Sequence, residues 1–172
     1  MGGAVSKNCT IQITNLSDVY KLIKPQVYTS SGYCCDPPQP TISSNKTEVC
    51  TFTKTPGTTF GAVGVLTYDL FHMENQLCTE RIAIMFSVPN NYNLNNNIMG
   101  VGVFENTCEC DKALYQSMYE GKDAHGNTEV SGIIYKAQMV ELRATMSNAD
   151  EAIIKVEIHD NKKIKSLKTF NL

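Results

Sequence analysis

Short runs in which apolar and polar residues alternate, broken by turn signals, most constrain what this chain can fold into. Thr10, Ile11, Gln12, Ile13 and Thr14 alternate strictly. That period sends successive side chains to opposite faces of a strand. Asn15-Leu16-Ser17-Asp18 is a turn signal. Residues 19–23 resume as a strand that Pro25 is expected to stop, and 27–29 make a shorter one. Residues 30–40 hold Gly32, Pro37, Pro38 and Pro40 and read as a loop. A threonine-rich strand follows at 47–54, then a Pro56-Gly57 turn. Residues 61–70 read as a long strand and 71–79 as a connection. Residues 82–88 are almost continuously apolar, as suits a central strand in a sandwich. Further strands are expected at 99–104, 133–135, 139–144 and 152–158. The fold class is therefore mainly β: an antiparallel β-sandwich flanked by one or two short helices.

One segment breaks the pattern. Residues 111–120 read as a helix that Asp111 can cap and Gly121 can end. Leu114 and Met118 stand four apart and form a core-facing pair. Tyr115 and Tyr119 repeat that spacing on the next face and form an aromatic row.

A length of 172 residues suits one domain. The expected division is an arm at 1–8, a single sandwich at 9–160 and a tail at 161–172. Lys162, Lys163, Lys165 and Lys168 make that tail mildly basic. A net charge of −2 argues against a nucleic-acid binder. No apolar run approaches the ~20 residues of a membrane-spanning helix. The first eight residues hold no apolar leader, so the default expectation is a cytoplasmic, reducing setting at the periphery of a membrane. Met1-Gly2-Gly3-Ala4-Val5-Ser6 matches the pattern for myristoylation of Gly2. Sequons stand at Asn8, Asn15 and Asn45 and matter only in an exported chain.

The seven cysteines include no C-x₂-C pair, and the three histidines are scattered, so no metal site is expected. Reduced thiols serving as small apolar residues account for them. No nucleophile elbow, zincin motif or phosphate loop occurs, so an enzyme is not expected, and no cofactor.

Three segments resemble the actinoporins, the pore-forming cytolysins of sea anemones, and especially the actinoporin-like proteins of fish. They are Gly61-Ala62-Val63-Gly64-Val65-Leu66-Thr67-Tyr68, Phe86-Ser87-Val88-Pro89-Asn90-Asn91-Tyr92-Asn93 and Asp111-Lys112-Ala113-Leu114-Tyr115-Gln116-Ser117-Met118-Tyr119. The resemblance spans roughly residues 9–159. It implies an actinoporin-like (cytolysin-lectin) sandwich that recognises phosphocholine headgroups, notably of sphingomyelin, and a homo-oligomer on membranes. The headgroup residues it implies are Ser31, Val63, Ser87, Pro89, Tyr115 and Tyr119. Their chemistry agrees in kind. Tyrosine faces attract a quaternary ammonium, and serine hydroxyls can donate to phosphate oxygens.

The resemblance also implies a membrane-contacting loop, here Tyr92, Leu94, Ile98 and Met99. Family members carry tryptophan and tyrosine in that loop, whereas this chain has no tryptophan at all. Indole favours the headgroup layer, so its loss implies weakened or retuned docking. Glu120 stands where the family has another tyrosine, and Ser30 where it has an arginine. The family's pore-lining amphipathic helix is not expected within the chain as written. The eight residues before the first strand span ~12 Å even if helical, against a bilayer core of ~30 Å. On that arithmetic the chain as written is not expected to build such a pore alone. The alternative is a lectin-like soluble module that binds glycans through the same fold. The asparagine-rich segment 90–97 would supply amides for sugar hydroxyls.

Overall fold

Two six-stranded sheets pack face to face. The computed structural model describes residues 6–90, 96–121, 128–129 and 132–161. The first sheet holds β1 (Asn8–Asn15), β3 (Tyr33–Asp36), β5 (Lys46–Thr53), β10 (Ile133–Lys136), β11 (Val140–Met146) and β12 (Glu151–Asp160), in the order β10-β11-β12-β1-β5-β3. The second holds β2 (Tyr20–Ser31), β4 (Thr41–Ile42), β6 (Ala62–His72), β7 (Leu77–Val88), β8 (Ile98–Glu105) and β9 (Thr128–Glu129), in the order β4-β2-β6-β7-β8-β9. All neighbours are antiparallel except β1 and β12. Among the described residues α1 (Lys112–Tyr119) is the one helix. No helix of the described residues is long and apolar enough to cross a membrane.

The alternation in the sequence becomes the core. Cys9, Ile11 and Ile13 of β1 turn inward. They meet Leu66, Ile84 and Phe86 of the opposite sheet within one apolar cluster. The Phe52 and Phe86 rings, with centroids 4.4 Å apart, join the two layers. Strand β7 is buried on both faces, which explains its unbroken apolar run. Ile82, Ile84 and Phe86 face the core, while Ala83 and Met85 face outward beneath Leu114 and Met118 of α1. Asp111 caps that helix as expected, its carboxylate accepting from the Leu114 N–H at 2.9 Å, and Gly121 follows in the left-handed region at φ 72°. Gly100 lies under the end of the helix, where a Cβ would make an ordinary contact, 3.8 Å, with the Met118 carbonyl oxygen.

Three expectations change. Pro25 does not end its strand; β2 runs on through it. Lys24 takes φ 51°, and the register with β6 shifts between Ile23 and Gln26. A bulge absorbs the missing N–H, so the proline needs no ladder partner. The expected loop at 30–40 is shorter, because residues 33–36 pair with β5 as an edge strand. The connection at 71–79 shrinks to a tight hairpin, with β6 reaching His72 and β7 starting at Leu77.

Candidate functional site

Strand register brings three of the implied headgroup positions together, beside Ile98 of the implied membrane loop. Ser31 of β2 pairs with Val63 of β6, Val63 with Ser87 of β7, and Ser87 with Ile98 of β8. These residues form one row across the second sheet, near the end where β2 stops, β6 starts and β7 stops. Pro89 follows β7 directly. Gly61, just before β6, packs so tightly that a Cβ would fall 1.8 Å from the Val88 carbonyl oxygen. The Ser31 hydroxyl donates to the Gly61 carbonyl at 3.0 Å. Ser31 therefore braces this corner, and its proton is engaged there rather than directed at a ligand.

Helix α1 supplies the aromatic wall. Leu114 and Met118 anchor it, which directs Tyr115 and Tyr119 along the adjoining face. Their ring centroids are 5.9 Å apart, with planes inclined at 35°. Tyr115 is half-buried beside the Ser87 hydroxyl. Burial pushes the Tyr115 phenol up to about 12; nearby Tyr119 and Tyr28 add to the rise, and the Ser87 hydroxyl opposes it. Tyr115 therefore stays neutral at physiological pH. Each of these two hydroxyls can donate to, or accept from, a ligand.

Tyr28 is a residue the sequence reading missed. It packs against the same outer cluster as Tyr115. Its signal was the alternation itself: Tyr28 pairs with Val65, which lies beneath the helix. Glu120, at the helix C-cap, is exposed beside Tyr119.

The implied membrane loop is only partly in view. Tyr92 and Leu94 lie outside the described residues, as does Gly2. Ile98 is half-buried at the end of the Ser31–Val63–Ser87 row. Met99 corrects the expectation: it is fully buried in the core between the sheets. It alternates with Ile98 on β8, so the two side chains must point to opposite faces. Nor is the asparagine segment wholly open to ligands. The Asn97 amide is buried and donates to the carbonyls of Ser147 (3.0 Å) and Ala149 (2.9 Å), tying β8 to the β11–β12 turn. Asn90 instead accepts from the Lys54 ammonium at 3.3 Å.

The start of the helix is held separately. Arg81 of β7 pairs with Asp69 of β6 at 3.0 Å, both side chains about 10% exposed, and donates to the Cys108 carbonyl at 2.6 Å. A groove of about 520 Å³ opens nearby, lined by Phe104, Cys108, Glu109, Asp111, Ala113, Leu114 and Ser117. It contains neither tyrosine of the pair, and its two carboxylates disfavour an anionic group. Among the described residues no cluster of His, Cys, Asp or Glu could hold a metal.

Known proteins share this architecture. The crystal structure of the lipid binding protein Nakanori superposes with a TM-score of 0.70 over 91% of this chain and 72% of that one; at 13% identity the likeness concerns the fold. Conoporin-Cn1 from Conus consors is 32% identical over 161 residues, 87% of this chain. The match spans only 61% of that protein's length. Tereporin-Ca1 from Terebra anilis is 28% identical over 90% of this chain and 85% of its own length. DELTA-stichotoxin-Hcr4a from Radianthus crispa is 33% identical over 105 residues, 60% of this chain and 54% of its own. The family model described as sea anemone cytotoxic protein matches residues 3–160. The chain therefore belongs to the sea anemone cytotoxic protein family, the actinoporins.

Proposed function

We propose that this chain binds phosphocholine-bearing membrane lipids, of which sphingomyelin is one, and acts at membranes as a cytolysin-like protein. The observation that carries this reading is the pairing of an aromatic wall with a hydroxyl pair. The Tyr115 and Tyr119 faces lie close enough for one trimethylammonium group to touch both. Each such contact is worth about 0.5–2 kcal/mol. Beside them, the Tyr115 and Ser87 hydroxyls can donate to a phosphate oxygen. Cation and anion are thus met side by side, which matches a zwitterionic headgroup better than either charge alone. Glu120 adds a negative charge next to Tyr119, favourable to choline. The lipid-binding description of the similarly folded Nakanori and the cytotoxic character of the family point the same way.

Liposome flotation examines this directly. Vesicles containing sphingomyelin or phosphatidylcholine should carry the protein upward, and vesicles of phosphatidylglycerol alone should not. Flotation indifferent to choline lipid, or none at all, would sink the reading. A glycan array run in parallel would show whether sugars compete for the same face.

A further inference from the structure

We infer that the β5–β6 corner is a second lipid-contacting element, in which Phe60 enters the acyl layer while Tyr33 rests at headgroup level. The inference builds on the headgroup reading above and adds residues outside it. Nine large apolar side chains are exposed among the described residues. Six are aliphatic and scattered. The three aromatic ones are Tyr33 at 46%, Phe60 at 66% and Tyr119 at 40%. All three stand at the end of the sandwich where the headgroup row lies.

Their convergence follows from the backbone. Phe60 immediately precedes Gly61, whose carbonyl holds Ser31 and whose Cα abuts Val88 and Pro89. Tyr33 pairs with Thr53 at the end of β5. Gly32, between Ser31 and Tyr33, takes φ 79°; a Cβ there would lie 2.4 Å from the Thr53 oxygen and 3.2 Å from the Gly61 oxygen. The corner is thus backbone-packed and rigid. Lys54 extends from it to Asn90, tying the start of the β5–β6 loop to the segment after β7.

A water-exposed phenylalanine on a rigid corner gains nothing from the fold itself. Beside a headgroup site, it is placed to leave water when the lipid arrives. Tyrosine concentrates at membrane boundaries, and burying a phenylalanine ring contributes substantially to partition. This chain has no tryptophan. The Phe60–Tyr33 corner therefore supplies docking that indole rings would otherwise provide. The aliphatic pair Met73 and Leu77 sits in the β6–β7 hairpin at the opposite end and takes no part.

The absence of tryptophan makes the experiment clean, because Phe60→Trp introduces the sole indole. Its emission is recorded on vesicles of sphingomyelin and acyl-brominated phosphatidylcholine, with flotation establishing that the protein is bound. Leu77→Trp is the control. The inference expects a blue shift and bromine quenching for Phe60→Trp and neither for Leu77→Trp. It also expects Phe60→Ala to weaken vesicle binding roughly tenfold or more, from the apolar area kept in water. Soluble phosphocholine affinity should be unchanged. A bound Phe60→Trp protein with unshifted, unquenched emission overturns this inference alone, as does unaltered vesicle binding by Phe60→Ala. Failure of the parent chain to float on choline lipids, or to bind soluble phosphocholine, overturns the headgroup reading with it.

Discussion

The rings of Tyr115 and Tyr119 stand 5.9 Å apart on one face of a helix whose other face is locked to the sheet by Leu114 and Met118. The aromatic wall is therefore positioned by packing. Its two members can be altered with different consequences. Tyr119→Ala removes a ring that is 40% exposed and should leave stability nearly intact, while choline-lipid affinity falls several-fold. Tyr115→Ala with Tyr119→Ala should abolish vesicle binding. Tyr115→Phe keeps the ring but removes the hydroxyl beside Ser87, so it should weaken binding to the whole headgroup more than binding to tetramethylammonium. Flotation and competition by the two soluble ions measure each case.

The helix seat depends on a buried ion pair. Arg81→Met would leave the Asp69 carboxylate enclosed without its partner and release the Cys108 carbonyl. Such a break costs roughly 3–5 kcal/mol, whereas replacing both partners with apolar groups of similar volume is often near neutral. Denaturant unfolding should show Arg81→Met strongly destabilised and Arg81→Met with Asp69→Leu largely restored.

Two glycines should respond in opposite ways to alanine. At Gly61 the new methyl meets the Val88 carbonyl oxygen at 1.8 Å, a backbone atom that cannot swing aside. At Gly100 it meets the Met85 methyl at 3.2 Å, the far end of a flexible side chain. Gly61→Ala should cost about 1–3 kcal/mol or more, as overpacking does. It should also disturb Ser31 and Pro89. Gly100→Ala should melt close to the parent. Thermal unfolding separates the two.

Much of this was legible in the sequence, and particular residues show where legibility stopped. Asp111, Gly121 and the four-residue spacing of Leu114 and Met118 identified the helix, because capping and periodicity are local. The continuous run at β7 announced a central strand, whereas its outer burial beneath α1 is a long-range matter. Pro25 misled because a bulge is settled by the pairing with β6, a long-range matter. The edge strand at Tyr33–Asp36 hid behind its neighbouring prolines, since it exists only through pairing with β5. Met99 lay beside Ile98 in the implied loop, but which of two neighbours turns inward depends on strand register. Tyr28 and Arg81 belong to the site and its support through contacts that no spacing reveals.

The pH response follows from buried protons. Burial raises the Cys50 thiol from 9.0 to about 12, and the Cys34 thiol and Asp36 carboxylate nearby add to it. Burial likewise lifts the Tyr115 phenol from 10.0 to about 12 and pushes the Cys9 thiol higher still. In each case the folded chain holds protons that the unfolded chain has released. Stability is therefore fully present below about pH 9 and declines as pH rises toward 12. Thermal melts from pH 7 to 11 should hold level and then fall steeply. In the same window exposed Cys35 should react readily with a thiol reagent, and buried Cys9 and Cys50 only on unfolding.

Tyr115, Tyr119 and Ser87 together make the proposed headgroup seat. The most direct measurement is a titration of the isotope-labelled protein with soluble phosphocholine, followed through its tyrosine-ring and serine resonances. Tyr115, Tyr119 and Ser87 should shift together along one saturating curve, while Tyr20 and Tyr68, buried in the core, stay fixed. Saturable binding that moves other residues and leaves these three unchanged would contradict this placement of the seat.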